Sequence, residues 1–150
     1  MEIRRATFDD LGVLLPLVRG YREFYKQSHD PQAERAFIGN HLANGTSIVF
    51  LAFDDSGTAI GFAQLFQTFS TVHLGSSLIL EDLFVAHDAR GAGAASALLD
   101  TAIRYAGECG ATQMFLETAM DNTTAQRVYE RNGWKREARF YKYNAPLGRN

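Results

Sequence analysis

Across 150 residues the chain has one cysteine, Cys109, only three prolines and a single tryptophan. A lone thiol excludes an intrachain disulfide and points to a reducing compartment, the cytoplasm. Long apolar runs are missing too. The longest clear one, IVFLAF at 48–53, is far below the roughly 20 residues a membrane helix needs, so no membrane partner is expected. The opening MEIRRATFDD has neither an apolar core nor a small-residue cleavage site, which argues against a secretory leader. There is no basic excess: 15 Lys and Arg stand against 17 Asp and Glu, for a net charge of −2. That balance excludes a nonspecific nucleic-acid binder. The four histidines, His29, His41, His73 and His87, lack ligand spacing and have no cysteine pair beside them, so no metal site is expected. Repeats, linkers and low-complexity segments are absent, and residues 1–150 read as one domain.

What is present alternates between strand and helix patterns. IRRAT (3–7) predicts a short strand, and 8–27 a helix with Leu11, Leu14, Leu15, Val18, Tyr21 and Tyr25 at helical spacing, with Pro16 free to kink or split it. Residues 31–45 predict a second helix between Pro31 and Gly45. A hairpin follows over 47–69, turning at Asp55, Ser56 and Gly57. Strand 76–86, helix 94–107 and strand 112–118 then form a βαβ unit, whose two strands must be parallel. A helix over 123–132 and a last strand near ARFYKYN (138–144) complete a mixed sheet with helices on both faces.

Within the βαβ unit, ARGAGAAS (89–96) puts the smallest residues beside an arginine at a helix start. The first helical amides have no intrahelical partner and the macrodipole is positive there, so the geometry suits an anion. Small residues let a phosphate reach those amides, and Arg90 adds a formal charge. The plainer alternative is close packing of this helix on the sheet. No Gly-Lys-Ser/Thr triplet occurs, and GAGAAS ends in serine where a dinucleotide fingerprint has glycine, which argues against either nucleotide class.

Further on, NTTAQRVYERNGW (122–134) has Asn122 as a natural N-cap and Gly133 as a natural stop, with Ala125, Val128 and Tyr129 on one helical face. Alone this reads as a capped helix with a core tyrosine. Together, LFVAHDARGAGAA and N-x-x-A-x-x-x-Y-x-x-x-G-W resemble the GNAT superfamily of acetyl-CoA-dependent N-acetyltransferases, strongly over 77–134. LEDLFV is similar to the polyamine and histone/polyamine subgroup. One departure is AHD, where the family often has proline near His87.

The resemblance implies an α/β fold with a mostly antiparallel sheet of six or seven strands, one parallel crossover and about four helices. It implies acetyl-CoA as cofactor. The pyrophosphate would lie on the amides around Arg90, Gly91, Ala92, Gly93, Ala94, Ala95 and Ser96, and the pantetheine arm along Leu83, Phe84 and Val85. Asn122, Ala125 and Tyr129 complete the cofactor set, with Tyr129 protonating the thiolate. An alkylamine has a pKa near 10.4, so a base or desolvating pocket must remove its proton. Glu81 is the first candidate and Asp82 the reserve. The two carboxylates sit among apolar strand neighbours, where a charge is costly unless it serves a role. Tyr21, Phe24 and Tyr25, with Glu81 and Asp82, are candidates to line the pocket of a small cationic amine, though core packing explains the rings equally well. Cys109 offers a covalent route but lies at the far end of the cofactor helix. Six basic side chains between 127 and 142 (Arg127, Arg131, Lys135, Arg136, Arg139, Lys142) read first as a solvated face, with the ribose phosphate as the alternative. ARFYKYN is a place where two copies could pair as a homodimer. Alternative functions are a catalytically silent acyl-CoA-sensing module and a protein N-terminal or lysine acetyltransferase.

Overall fold

The continuous apolar run at 48–53 shows how the two faces of the sheet are built. In a computed structural model describing residues 1–148, it forms a strand buried on both sides. Ile48, Phe50 and Ala52 belong to one core cluster, and Val49, Leu51 and Phe53 to another. Five strands make the sheet in the order β1 (Glu2–Arg5), β2 (Ile48–Phe53), β3 (Ala59–Ser70), β4 (Gly75–Val85) and β5 (Gln113–Phe115). The first four are antiparallel neighbours, and β4 pairs β5 in parallel. Helices α1 (Leu11–Phe24) and α2 (Pro31–Asn44) cover one face. Helix α3 (Ala94–Glu108) covers the other through Leu98, Leu99, Ala102 and Ala106, and Val128 and Tyr129 of α4 (Thr123–Arg131) join that side. The expected α/β architecture with one parallel crossover is the observed one.

Four details differ from the sequence reading. The first helix begins at Leu11, after a short 3-10 turn at Phe8–Asp10. Pro16 neither splits nor ends it. Pro16 and Gly12, whose carbonyl loses its partner, are both exposed, so water takes that carbonyl. The strand expected over 112–118 is paired only at 113–115. The strand expected over 138–144 does not form, and the sheet has five strands rather than six or seven among the described residues. That segment leaves Phe140, Tyr141 and Tyr143 exposed and is tied back by Lys142 to Glu117. Its aromatic composition favours a strand, but it has no ladder here to satisfy the backbone.

A bulge in β4 is the irregularity that matters. Gln64 opposes Asp82 while Leu65 opposes Leu80, leaving Glu81 without a partner on β3. An extra residue reverses the alternation of side chains beyond it. Leu78 and Leu80 face α3, yet Phe84 packs on the α1 and α2 side while Leu83 and Val85 face α3. Without the bulge, Asp82 would share the α3-side core with Leu80.

Close approach of β3 to β4 depends on Gly61, where a Cβ would meet the Phe84 carbonyl oxygen at 2.8 Å. Gly61→Ala is expected to cost about 1–3 kcal/mol by overpacking. Gly12→Ala, with no atom within 4 Å of the added methyl, should stabilise by up to about 1 kcal/mol in the exposed helix. Denaturant midpoints of the two variants check both signs.

Candidate active site

Beyond Val85 the chain makes a 3-10 turn at His87–Ala89 and enters α3 through Gly91 (φ 86°) and Gly93 (φ 85°). Both are left-handed, a region side-chain-bearing residues rarely occupy, and no protein atom lies within 4 Å of a Cβ built on either. The first intrahelical bond is Ala97 N–H to the Gly93 carbonyl, and no side chain caps the helix. The amides of Ala94, Ala95 and Ser96 therefore open α3 without a helical partner. The Ala94 methyl is buried in the core, so the small residues serve close packing and anion access together. At Arg90 the Nε donates to the Val85 carbonyl at 3.1 Å, and the guanidinium lies over the rings of Phe24 and Phe84. It braces the loop against β4 and α1.

The two parallel strands part company early. Their pairing covers only Ser77–Ile79 against Gln113–Phe115. In the β3–β4 ladder Ala86 donates to Ile60, and alternation then turns the backbone groups of Leu83 and Val85 away from β3, toward the side β5 has left. Helix α4 brings Tyr129 to that region. Its N-cap is Asn122, which accepts from Ala125 N–H at 3.2 Å, and Asn132 at its other end donates to Ser96 Oγ at 3.1 Å. The Asn122 amide oxygen thus serves the cap, and Ala125 supplies the capped amide. Burial pushes the Tyr129 hydroxyl up to about 12, with Tyr25 adding to the effect. The indole of Trp134 packs at 6.2 Å from the Tyr129 ring, and its buried Nε1 has no acceptor.

On the opposite face, Asp82 is half-buried and accepts from Gln64 Nε2 at 2.6 Å. Burial raises its carboxyl above the usual range, and the neighbouring Glu81 charge adds to this; Gln64 and Tyr21 only partly oppose it. Tyr21 is itself raised, by burial and then by Asp82 and Tyr25. Its ring stacks edge-on with Tyr25, Phe62 and Phe84 at 5.0, 5.8 and 6.0 Å. A cavity of about 300 Å³ opens here between α1, α2, β3 and β4. It is bounded partly by Glu34, a buried carboxylate. Burial alone would raise Glu34, but Arg22 at 2.5 Å, the Asp30 amide and His29 hold it below the usual range. A wider groove of about 490 Å³ between α3 and the first strands holds none of the candidate residues.

The Acetyltransferase (GNAT) family matches residues 14–134. The chain belongs to that family. It is an acetyltransferase, 41% identical over 143 residues to the uncharacterized N-acetyltransferase YhfO of Bacillus subtilis, with 95% of each chain covered. A crystal structure of a probable acetyltransferase superposes with a TM-score of 0.95 at 36% identity, covering both chains completely. An aminoglycoside N-acetyltransferase, AAC(6')-Iy in complex with CoA, shares the fold with a TM-score of 0.80 at 24% identity over 96% of this chain and 93% of that one.

In this acetyltransferase the fold brings the glycine loop, the Leu83–Val85 edge and Tyr129 to the α3 side, and Tyr21, Asp82 and Phe84 to the α1 side. Phe24 and Tyr25 are about half exposed at the end of α1. Glu81 stands exposed in the bulge. Cys109 follows α3 at the helix end opposite the loop, with an exposed thiol. Sequence reasoning missed Gln64, Glu34, Arg22 and Phe37. Only Gln64 carried a signal, as a polar residue inside the apolar run IGFAQLF.

Because folding raises the Asp82 pKa, its stabilising contribution exists only below the ordinary carboxylate pKa and is lost as pH rises through the folded value. Ionised Asp82 therefore costs stability at neutral pH. Asp82→Asn should raise the melting temperature at pH 7. The gain should vanish as pH falls toward 4, roughly the ordinary aspartate pKa. Thermal melts across that range check both parts.

Proposed function

We propose that this acetyltransferase moves an acetyl group from acetyl-CoA to a primary amine of a small, cationic acceptor, by direct attack in a ternary complex. One observation carries the reading: the open edge of β4, at Leu83 and the amide of Val85, leads directly to the unpartnered amides of Ala94, Ala95 and Ser96, while Arg90 takes the Val85 carbonyl. An extended, amide-bearing arm that ends in a pyrophosphate presents complementary groups in the same order. Open space beside Gly91 and Gly93 fits the phosphates. The CoA held by the aminoglycoside enzyme of the same fold supports this choice.

When bound, acetyl-CoA supplies the acetyl group as a thioester that an amine can attack. Val85 N–H, turned to the open edge, is the donor for the carbonyl oxygen as it gains charge. Asp82 and Glu81 are the two bases within the β4 bulge region. Asp82, half-buried on the acceptor side, holds a cationic group of the acceptor in place. Glu81, exposed, relays the amine's proton to solvent. Tyr129 donates a hydrogen bond to the departing sulfur. Burial pushes that hydroxyl up to about 12, and it raises the proton affinity of a thiolate in the same site as well. Asn122, Ala125, Phe84 and Arg90 act by shaping these elements. Tyr21, Phe24 and Tyr25 line the acceptor side. The exposed Cys109 fits a reducing cytoplasm, and the exposed aromatics at 140–143 would serve a homodimer contact.

Free-thiol release from acetyl-CoA across polyamines, amino acids, aminoglycosides and lysine peptides tests the reading. Release with at least one amine is expected, and Tyr129→Phe should lower kcat by about 100-fold with coenzyme affinity nearly unchanged. Silence across the panel while coenzyme A still binds would identify a sensing module instead. Gly93→Val should abolish coenzyme A binding in calorimetry while the circular dichroism spectrum persists, because a branched residue resists φ near +85°. Unchanged affinity would refute the cradle.

A further inference from the structure

Asp82 is a half-buried carboxylate that no lysine, arginine or histidine approaches among the described residues. Such a group is costly unless a cation joins it. Its partner Gln64 is 2% exposed, and Gln64 Oε1 has no donor at all. That orientation is forced, because exchanging the amide's oxygen and nitrogen would set Oε1 against the Asp82 oxygen now held at 2.6 Å. Both residues bound the cavity between α1, α2, β3 and β4, whose floor is Val18, Ile38 and Phe62 and whose aromatic walls are Tyr21 and Phe37. The lining carries two carboxylates, Asp82 and Glu34, against one guanidinium, a formal charge of −1. Arg22 is already committed to Glu34 at 2.5 Å and to the Ser28 carbonyl at 2.9 Å. Gln64 Oε1 thus lacks a donor and Asp82 lacks a cation, in a site with a surplus negative charge.

We infer that this cavity is a subsite for a protonated amine remote from the one that is acetylated, so that the preferred acceptor is a diamine with an apolar spacer. The inference rests on the proposed acetyltransferase reading. The second ammonium donates to Asp82 and Gln64 Oε1, the ring faces of Tyr21 and Phe37 attract it, and the spacer packs on Val18 and Phe62. The way out toward the coenzyme side is phenolic: Tyr21 and Tyr25 rings lie 5.0 Å apart, and Tyr25 is close enough to Tyr129 to influence its hydroxyl. A zwitterion fits worse, because its carboxylate meets Asp82 and Glu34 and finds Arg22 engaged.

Calorimetry on the full chain with cadaverine, pentylamine and lysine tests the subsite without relying on turnover. Cadaverine is expected to bind at least about tenfold more tightly than pentylamine, the effect of one additional good polar contact. Gln64→Leu and Asp82→Asn should each bring that ratio near unity while coenzyme A affinity holds. Should Gln64→Leu fail to fold, the near-isosteric Asp82→Asn still decides. Equal binding of the two amines to wild type, or a ratio that survives both variants, overturns the subsite. Tighter binding of lysine than of cadaverine also overturns it and transfers recognition to Arg22. Thiol release is read separately. Cadaverine binding without release refutes the acetyltransferase reading and leaves the subsite standing; release with equal kcat/KM for cadaverine and pentylamine does the reverse.

Discussion

One extra residue in β4 organises both halves of the site. Glu81 has no partner on β3, and past it the side-chain alternation is reversed. Asp82 and Phe84 consequently turn to the α1 and α2 side, while Leu83 and Val85 return to the α3 side. The same bend accompanies the early end of pairing with β5 at Ile79 and Phe115. An unpaired strand edge in a sheet interior leaves backbone donors and acceptors in want of partners. Here those groups lie next to the free amides that open α3, so one irregularity accompanies an open strand edge on one face and an ionisable wall on the other.

The polar groups on that wall work against stability. Glu34 is nearly as buried as any core residue, yet Arg22, His29 and the Asp30 amide surround its carboxylate, and its pKa falls. Asp82 shares the region but has only an amide and a phenol, and its pKa rises. Buried charge that serves structure alone is normally paired. An unsatisfied acceptor such as Gln64 Oε1 costs a further 1–3 kcal/mol or so. The two neighbouring carboxylates differ in kind: Glu34 fastens α1 to α2 through Arg22, and Asp82 has no cation beside it.

Legibility from the sequence followed how local the signal was. Helical spacing placed α1, boundary and cap residues placed α2 and α4, the strand–helix–strand pattern placed α3, and the glycines of ARGAGAAS marked a turn that does adopt left-handed φ at Gly91 and Gly93. Asn122 was readable as a cap, because capping is a three-residue event, and Asn122 does accept from Ala125. The bulge was not readable, since it is a property of two strands in register, and simple alternation at Glu81 and Asp82 conceals it. The segment 138–144 shows the converse failure: its composition favours a strand, but pairing is decided by what lies alongside. Arg90 was read by its charge near the glycines, whereas the fold spends its guanidinium on Val85 O and two aromatic rings. Gln64, Glu34 and Arg22 come from three elements and meet only through packing, which no spacing rule can announce.

Burial also decides how Tyr129 can act. A phenol of ordinary pKa, about 10, lies within two units of a thiol and could exchange a proton with it. Burial raises Tyr129 to about 12 and raises a thiolate beside it in the same sense, so the difference between the two decides the exchange. Hydrogen bonding to a developing thiolate needs no such exchange, and a donor fixed by α4 packing on α3 through Asn132 and Ser96 is already oriented for it. Desolvation that weakens Tyr129 as an acid strengthens it as a dipole, because a hydrogen bond to a charge is worth more in a drier site. On the proposed reading the proton lost by the amine leaves on the carboxylate side of β4 and the sulfur is stabilised on the other, with the strand itself separating the two.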